Sequence, residues 1–151
     1  MSTKVGDLAP DFTLTDQNNN EFTLKDLIGK QNIVLFFYPR DKSHGCTKEA
    51  CAFRDNFEMF RNQNTTIIGI SNDSIERHQS FASHLNLPFQ LLSDENNAVR
   101  KLYGVKATLL GLIPGRKTYI INKQGIIAAI FDYQFNPKRH VTDSLKAIEK
   151  L

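Results

Sequence analysis

Two continuous apolar runs organise the chain. IVLFFY (33–38) and TIIGIS (66–71) lack the polar alternation of a half-exposed strand, so both read as strands covered on two faces. Each is followed by a segment with helical spacing. After the first, Cys46, Ala50, Phe53, Phe57 and Phe60 form one apolar stripe at i, i+4, i+7 intervals. After the second, NDSIERHQSFASHL (72–85) offers Asp73 as an N-cap with Glu76 three residues on. Strand, helix, strand in this order requires a right-handed crossover and a parallel pair.

The flanking segments complete a sheet. DFTLTDQNNNEFTL (11–24) reads as short strands around a turn at Asn18–Asn20, and FQLLSD (89–94) as a further short strand. NNAVRKLYG (96–104) is a short helix stopped at Gly104. TYIIN and IIAAIFD flank KQG (123–125), a hairpin that adds an antiparallel element. A last helix follows Asn136 and Pro137 and buries Val141, Leu145 and Ile148. The expected fold is α/β, a mixed central sheet with helices on both faces. No repeat or Pro/Gly-rich linker divides residues 1–151, so one domain is expected.

Charge narrows the partners. The 19 basic and 16 acidic residues give a net charge of +3 with no basic run, which points away from nucleic acid. MSTKVGDLAPDF has neither the regions of a secretory signal nor those of an Arg-rich transit peptide. The apolar runs are far shorter than the eighteen or so residues that span a bilayer. These features predict a soluble cytoplasmic protein without a membrane partner. In a reducing compartment, two cysteines are more often catalytic or metal-binding than a structural crosslink.

Those two cysteines, Cys46 and Cys51, lie in FFYPRDKSHGCTKEACAFRD (36–55), where the first strand gives way to its helix. A thiol in a first helical turn faces unpaired N–H groups and the positive end of the helix dipole, both of which favour thiolate. Five residues of helix advance about 7.5 Å and about 140°, which separates the two Cα atoms by roughly 8 to 9 Å. A disulfide needs less than about 7 Å, so a bond between them requires the helix start to unwind. By the same phase Cys46 faces a pocket at the core's edge and Cys51 points elsewhere. No Cys-x-x-Cys is present, and His44, His78, His84 and His140 make no zinc set with the cysteines, so neither metal nor cofactor is expected.

GDLAPDFTL (6–14), the cysteine segment, GISND (69–73) and IPGRKTYIINKQG (113–125) together resemble the peroxiredoxins, in particular their bacterioferritin comigratory protein or peroxiredoxin Q branch. The resemblance spans nearly the whole chain. It implies a thioredoxin-like fold and reduction of hydrogen peroxide and organic hydroperoxides, with electrons from thioredoxin or a similar dithiol. Residue by residue it implies Cys46 as peroxidatic cysteine, Cys51 as resolving cysteine, and Pro39, Ser43 and Arg116 as site residues. Ser43 stands where threonine is commoner and His44 where proline is usual. The branch is often monomeric, and a monomer is expected.

The implied cycle runs through a sulfenic acid on Cys46 and an intramolecular Cys46–Cys51 disulfide. Ser43, the Cys46 N–H and Arg116 would hold the peroxide oxygens, with Pro39 excluding water. A thiol-disulfide oxidoreductase and a redox-sensing binding module without turnover are the alternative functions. Glu49 and Arg54, at i, i+5, do not face one another on a helix and are read as structural. The apolar segment ATLLGLI (107–113) is a candidate docking patch through Leu109 and Leu112.

Overall fold

The computed structural model describes residues 3–107 and 114–151. The amino-terminal hairpin pairs β1 (Thr13–Asp16) with β2 (Glu21–Thr23) across a turn in which Asn19 takes a φ of 64°. The apolar runs become β3 (Asn32–Phe37) and β4 (Thr65–Ser71), parallel as the crossover rule requires, with Phe36 opposite Gly69. β5 (Gln90–Ser93) extends the parallel set, and β6 (Lys117–Ile121) and β7 (Ile127–Phe131) form the expected antiparallel hairpin. The strand order is β2-β1-β5-β4-β3-β6-β7, a mixed seven-stranded sheet.

Alternate residues of β3 feed two cores. Ile33, Leu35 and Phe37 pack with Phe12, Phe22 and with Val99 and Tyr103 of α4 (Ala98–Tyr103). Val34 and Phe36 pack on the other face against Ala50 and Phe53 of α1 (His44–Asp55), with Val141 and Ile148 of α5 (Pro137–Glu149) in the same cluster. The Phe36 and Phe53 rings stack at 4.6 Å, which fastens the second half of α1 to the sheet. A Cβ at Gly69 would lie 2.8 Å from Phe36 Cζ, so only glycine leaves room for that ring.

Three local expectations are revised. The apolar stripe after β3 is split between α1 and α2 (Phe57–Asn62), because Asn56 leaves helical geometry and its Nδ2 donates to Ala52 O at 2.8 Å. The N-cap of α3 (Ile75–Leu85) is Ser74, whose Oγ accepts from Arg77 N at 3.2 Å. Asp73 turns inward instead, and its Oδ2 accepts from Asp41 N at 2.7 Å and Ser71 Oγ at 2.6 Å. Leu145 is half-buried, while Val141 and Ile148 are fully enclosed. Leu109 and Leu112 lie outside the described residues. Among the described residues no helix is long and apolar enough to cross a membrane.

Candidate active site

The site forms where β3 ends and α1 begins. Pro39 is buried just beyond the strand, and Ser43 caps the helix with extended backbone (φ −68°, ψ 154°). Its Oγ accepts from Cys46 N at 3.4 Å and donates to Arg40 O at 3.3 Å, both at the long end of hydrogen-bond range. Cys46 is therefore at the third helical position, in the first turn. Lys42, next to the cap, has a φ of 66°; every other non-glycine residue with positive φ among the described residues is asparagine. His44 is exposed at the first position of the helix.

Arg116 arrives from the neighbouring strand, one residue before β6, whose Lys117 lies opposite Phe37 at the end of β3. It divides its guanidinium three ways. Nε donates to Gln134 O at 3.0 Å, Nη1 to Glu49 Oε1 at 2.6 Å, and Nη2 to Cys46 Sγ at 3.5 Å. The fork leaves little slack: a Cβ at Gly45 would stand 3.0 Å from Nη2. Burial opposes the Arg116 charge, but the Glu49 carboxylate and then the Cys46 sulfur more than offset it and raise the guanidinium above its ordinary value.

Glu49 is fully buried, and its Oε2 has no hydrogen-bond partner. Burial pushes its carboxyl up to about 7 against the opposing pull of Arg116. His140 of α5 lies 3.8 Å from that oxygen. The ring, neutral near pH 7 because burial lowers it, supplies that oxygen no positive charge. Nε2 faces the Tyr133 carbonyl at 2.7 Å and so carries the hydrogen, which leaves Nδ1 to accept from Thr118 Oγ1 at 2.8 Å. Burial first, and the Arg116 charge in addition, lower His140 to about 4.

A second buried cation supports the site from the other face. Arg100 of α4 donates from Nη1 to Gly115 O and from Nη2 to Tyr38 O, each at 2.8 Å, tying the end of β3 to the residue before Arg116. Burial lowers its affinity for the proton, while Asp94 and Cys46 work the other way. Behind the loop, Asp41 takes the Tyr38 hydroxyl at 2.6 Å and His78 Nδ1 at 2.7 Å. Asp41, Asp73 and His78 are close enough to share a metal ion, but Tyr38, Ser71, Arg77 and the Leu92 carbonyl already occupy their polar atoms.

Ser43, Cys46 and Arg116 are thus brought together as expected, and Cys51 stays apart. Cys46 is only 1 % exposed, so it sits deeper than the rim position expected of it. Cys51 is half-buried in a groove between α1 and α5 with Lys48, Ala52 and Lys138, and both cysteines are free thiols. Sequence reasoning missed Glu49, Arg100 and Gln134. A signal for Glu49 was present: Cys46, Glu49, Ala50 and Phe53 share one face, and a carboxylate on an apolar stripe demands a buried cation. Arg54, considered beside it, bonds instead to Asp55 and the Leu85 carbonyl.

Comparison with known proteins decides the family. The AhpC/TSA family profile matches residues 5–130. The chain belongs to the AhpC/TSA family. Within it the similarity is to peroxiredoxin Q. Chloroplastic peroxiredoxin Q of Sedum lineare is 45% identical over 146 residues, 97% of this chain and 78% of the relative. That of Arabidopsis thaliana is 49% identical over 144 residues, 95% of this chain and 66% of the relative. Among solved structures, the peroxidoxin BcpB of Mycobacterium tuberculosis aligns with a TM-score of 0.90 and 33% identity, covering 98% of this chain and 97% of that one. A cysteine-to-serine mutant of Xylella fastidiosa PrxQ aligns at 0.89 and 26% identity, covering 99% and 98%.

This AhpC/TSA member therefore has the thioredoxin-like fold and is a thiol-dependent peroxidase, of a class generally recycled by thioredoxin-type reductants. One expectation is overturned. The cytoplasmic placement read from the amino terminus conflicts with curated relatives that are chloroplastic proteins, which point to a plastid.

Proposed function

We propose that Cys46 is the peroxidatic cysteine, Cys51 its resolving partner, and Arg116 and Ser43 the groups that bind the reacting oxygens. The observation that carries this reading is the Arg116 guanidinium, 3.5 Å from the Cys46 sulfur at the start of α1. The Cys46 thiolate attacks the terminal peroxide oxygen, the O–O bond breaks, and the leaving alkoxide or hydroxide takes a proton to become alcohol or water. Negative charge develops on that leaving oxygen, where a fixed guanidinium and a helix-start N–H are placed to receive it. Cys46 is buried, so peroxide entry goes with opening of the Ser43 turn, and its two long capping bonds are cheap to exchange for bonds to peroxide. Pro39 backs the turn and limits water.

The sulfenic acid on Cys46 then condenses with the Cys51 thiol, forming the disulfide and releasing water. Both thiols lie on one helix of one chain, which supports a complete cycle in a monomer. A dithiol such as thioredoxin returns both sulfurs to thiols, its own pair becoming the disulfide. Rapid mixing with hydrogen peroxide tests the assignment. Cys51→Ser is expected to keep the first peroxide-consuming turnover and lose cycling with thioredoxin, and Cys46→Ser to lose both. A Cys51→Ser protein that cycles at the parental rate would remove Cys51 from the scheme.

A further inference from the structure

Glu49 Oε2 is a buried carboxylate oxygen with no donor. The groups around it explain what it lacks. On its own helix stands Cys46; from the start of β6 come Arg116, bound to Oε1, and Thr118, whose hydroxyl is spent on His140. From α5 comes His140, whose Nδ1 lies 3.8 Å away and is already engaged with Thr118 Oγ1. Tyr133 offers only its carbonyl, to His140, and its hydroxyl goes to Asp143. Arg100 of α4 acts on Cys46 from the opposite side. An ionised Oε2 thus carries charge in low dielectric with no donor to meet it, and a proton removes that charge. The surroundings favour a proton there.

Arg116 links this oxygen to the sulfur. One cation, fully buried at the fork, touches two acids, Glu49 and Cys46. Two buried anions on one guanidinium would leave an uncompensated charge in low dielectric. We propose that Glu49 stores the proton that Cys46 gives up, so that the pocket keeps one anion against Arg116 and exchanges it between carboxylate and thiolate. The step is a proton balance: Cys46 thiol and Glu49 carboxylate become Cys46 thiolate and Glu49 carboxylic acid, with no change in net charge. When peroxide or an alkylating agent neutralises the sulfur, Arg116 loses its anion there and Glu49 releases its proton. The carboxyl near 7 is placed to make this exchange at neutral pH. Glu49 is a positioning residue, acting on sulfur through Arg116, and this inference rests on Cys46 being the reactive thiol.

Proton counting tests it on the Cys51→Ser protein, which carries Cys46 as its single thiol. Thiolate absorbance near neutral pH gives the fraction of Cys46 still protonated, and a pH indicator counts protons released when iodoacetamide alkylates it. With a store, release exceeds the thiol fraction. Release equal to that fraction overturns the proposal, without any change at Glu49. Glu49→Gln is then expected to raise the thiolate-to-thiol ratio about tenfold, the effect of one unit of ionisation, and to bring release down to the thiol fraction. A fall in thiolate would mean that the carboxylate only holds Arg116 in place, and would also overturn it. Should Cys46 prove not to be peroxidatic, Cys46→Ser would still consume peroxide, a result separate from the proton count.

Discussion

At the scale of single residues the site is governed by how Arg116 spends its donors. A planar fork reaches Gln134, Glu49 and Cys46 at once, which a single ammonium cannot do. Arg116→Lys is therefore expected to slow peroxide reaction by about 100-fold or more, the usual loss when a donor to developing negative charge is removed. Stopped-flow measurement of the second-order rate constant checks this, and a change below about threefold would place the stabilisation elsewhere. Cys46 was legible from its place at the start of a helix, whereas Ser43 and Arg116 were marked by family likeness alone. For Glu49 the apolar stripe signalled a buried carboxylate, but not its partner, which lies 67 residues away where helix spacing does not reach. Arg100 was hidden for the same reason, its acceptors being carbonyls 15 and 62 residues distant.

At the scale of the element, α1 has two unlike halves. Its first turn is held by a 3.4 Å cap and by contacts to Arg116, whereas its second half is fixed by Phe53, enclosed and stacked on Phe36. Bringing Cys51 to Cys46 must therefore melt the first half and spare the second. Hydrogen exchange should show amides of residues 44–51 losing protection in the disulfide form while those around Phe53 keep it. Uniform loss along α1, or none, would contradict this division. The strands themselves were readable because continuous apolar runs leave few alternatives. The helix boundaries were less so: Asp73 and Ser74 are both competent caps, and the choice fell to Ser74 because the buried Asp41 amide and Ser71 hydroxyl claimed Asp73. The break at Asn56 likewise came from a side-chain bond to Ala52 that competes with helix.

At the scale of the whole molecule, the buried acid and base in the layer between sheet and α5 act on stability in opposite senses. The Glu49 carboxyl, raised from 4.5 to about 7 by burial, holds a proton in the folded chain that the unfolded chain has lost, so stability falls as pH rises through that window. His140, lowered from 6.5 to about 4 by burial, is the reverse: the unfolded chain holds the extra proton, and stability rises with pH. Between about 4.5 and about 6.5 the two slopes cancel. His140→Gln should uncover the Glu49 slope, a loss of about 1.4 kcal/mol per pH unit, and Glu49→Gln the opposite slope. Urea denaturation across that range checks both signs, and parallel profiles for the two variants would refute the pairing. No sequence reading reaches such a balance, because it depends on the sheet carrying Arg116 to the foot of α1.

The left-handed backbone at Lys42 bears on timing. A lysine there stands about 1–2 kcal/mol above a relaxed geometry, and it is anchored by Nζ donating to Ser80 Oγ at 2.9 Å. If opening of the turn relieves that φ, the strain would favour release when the cap lets go. Lys42→Asn would relax it, and disulfide closure after oxidation should then slow, visible as longer-lived sulfenic acid on Cys46. On the proposed cycle, strain at Lys42 would then trade repose for speed where the chain gives way.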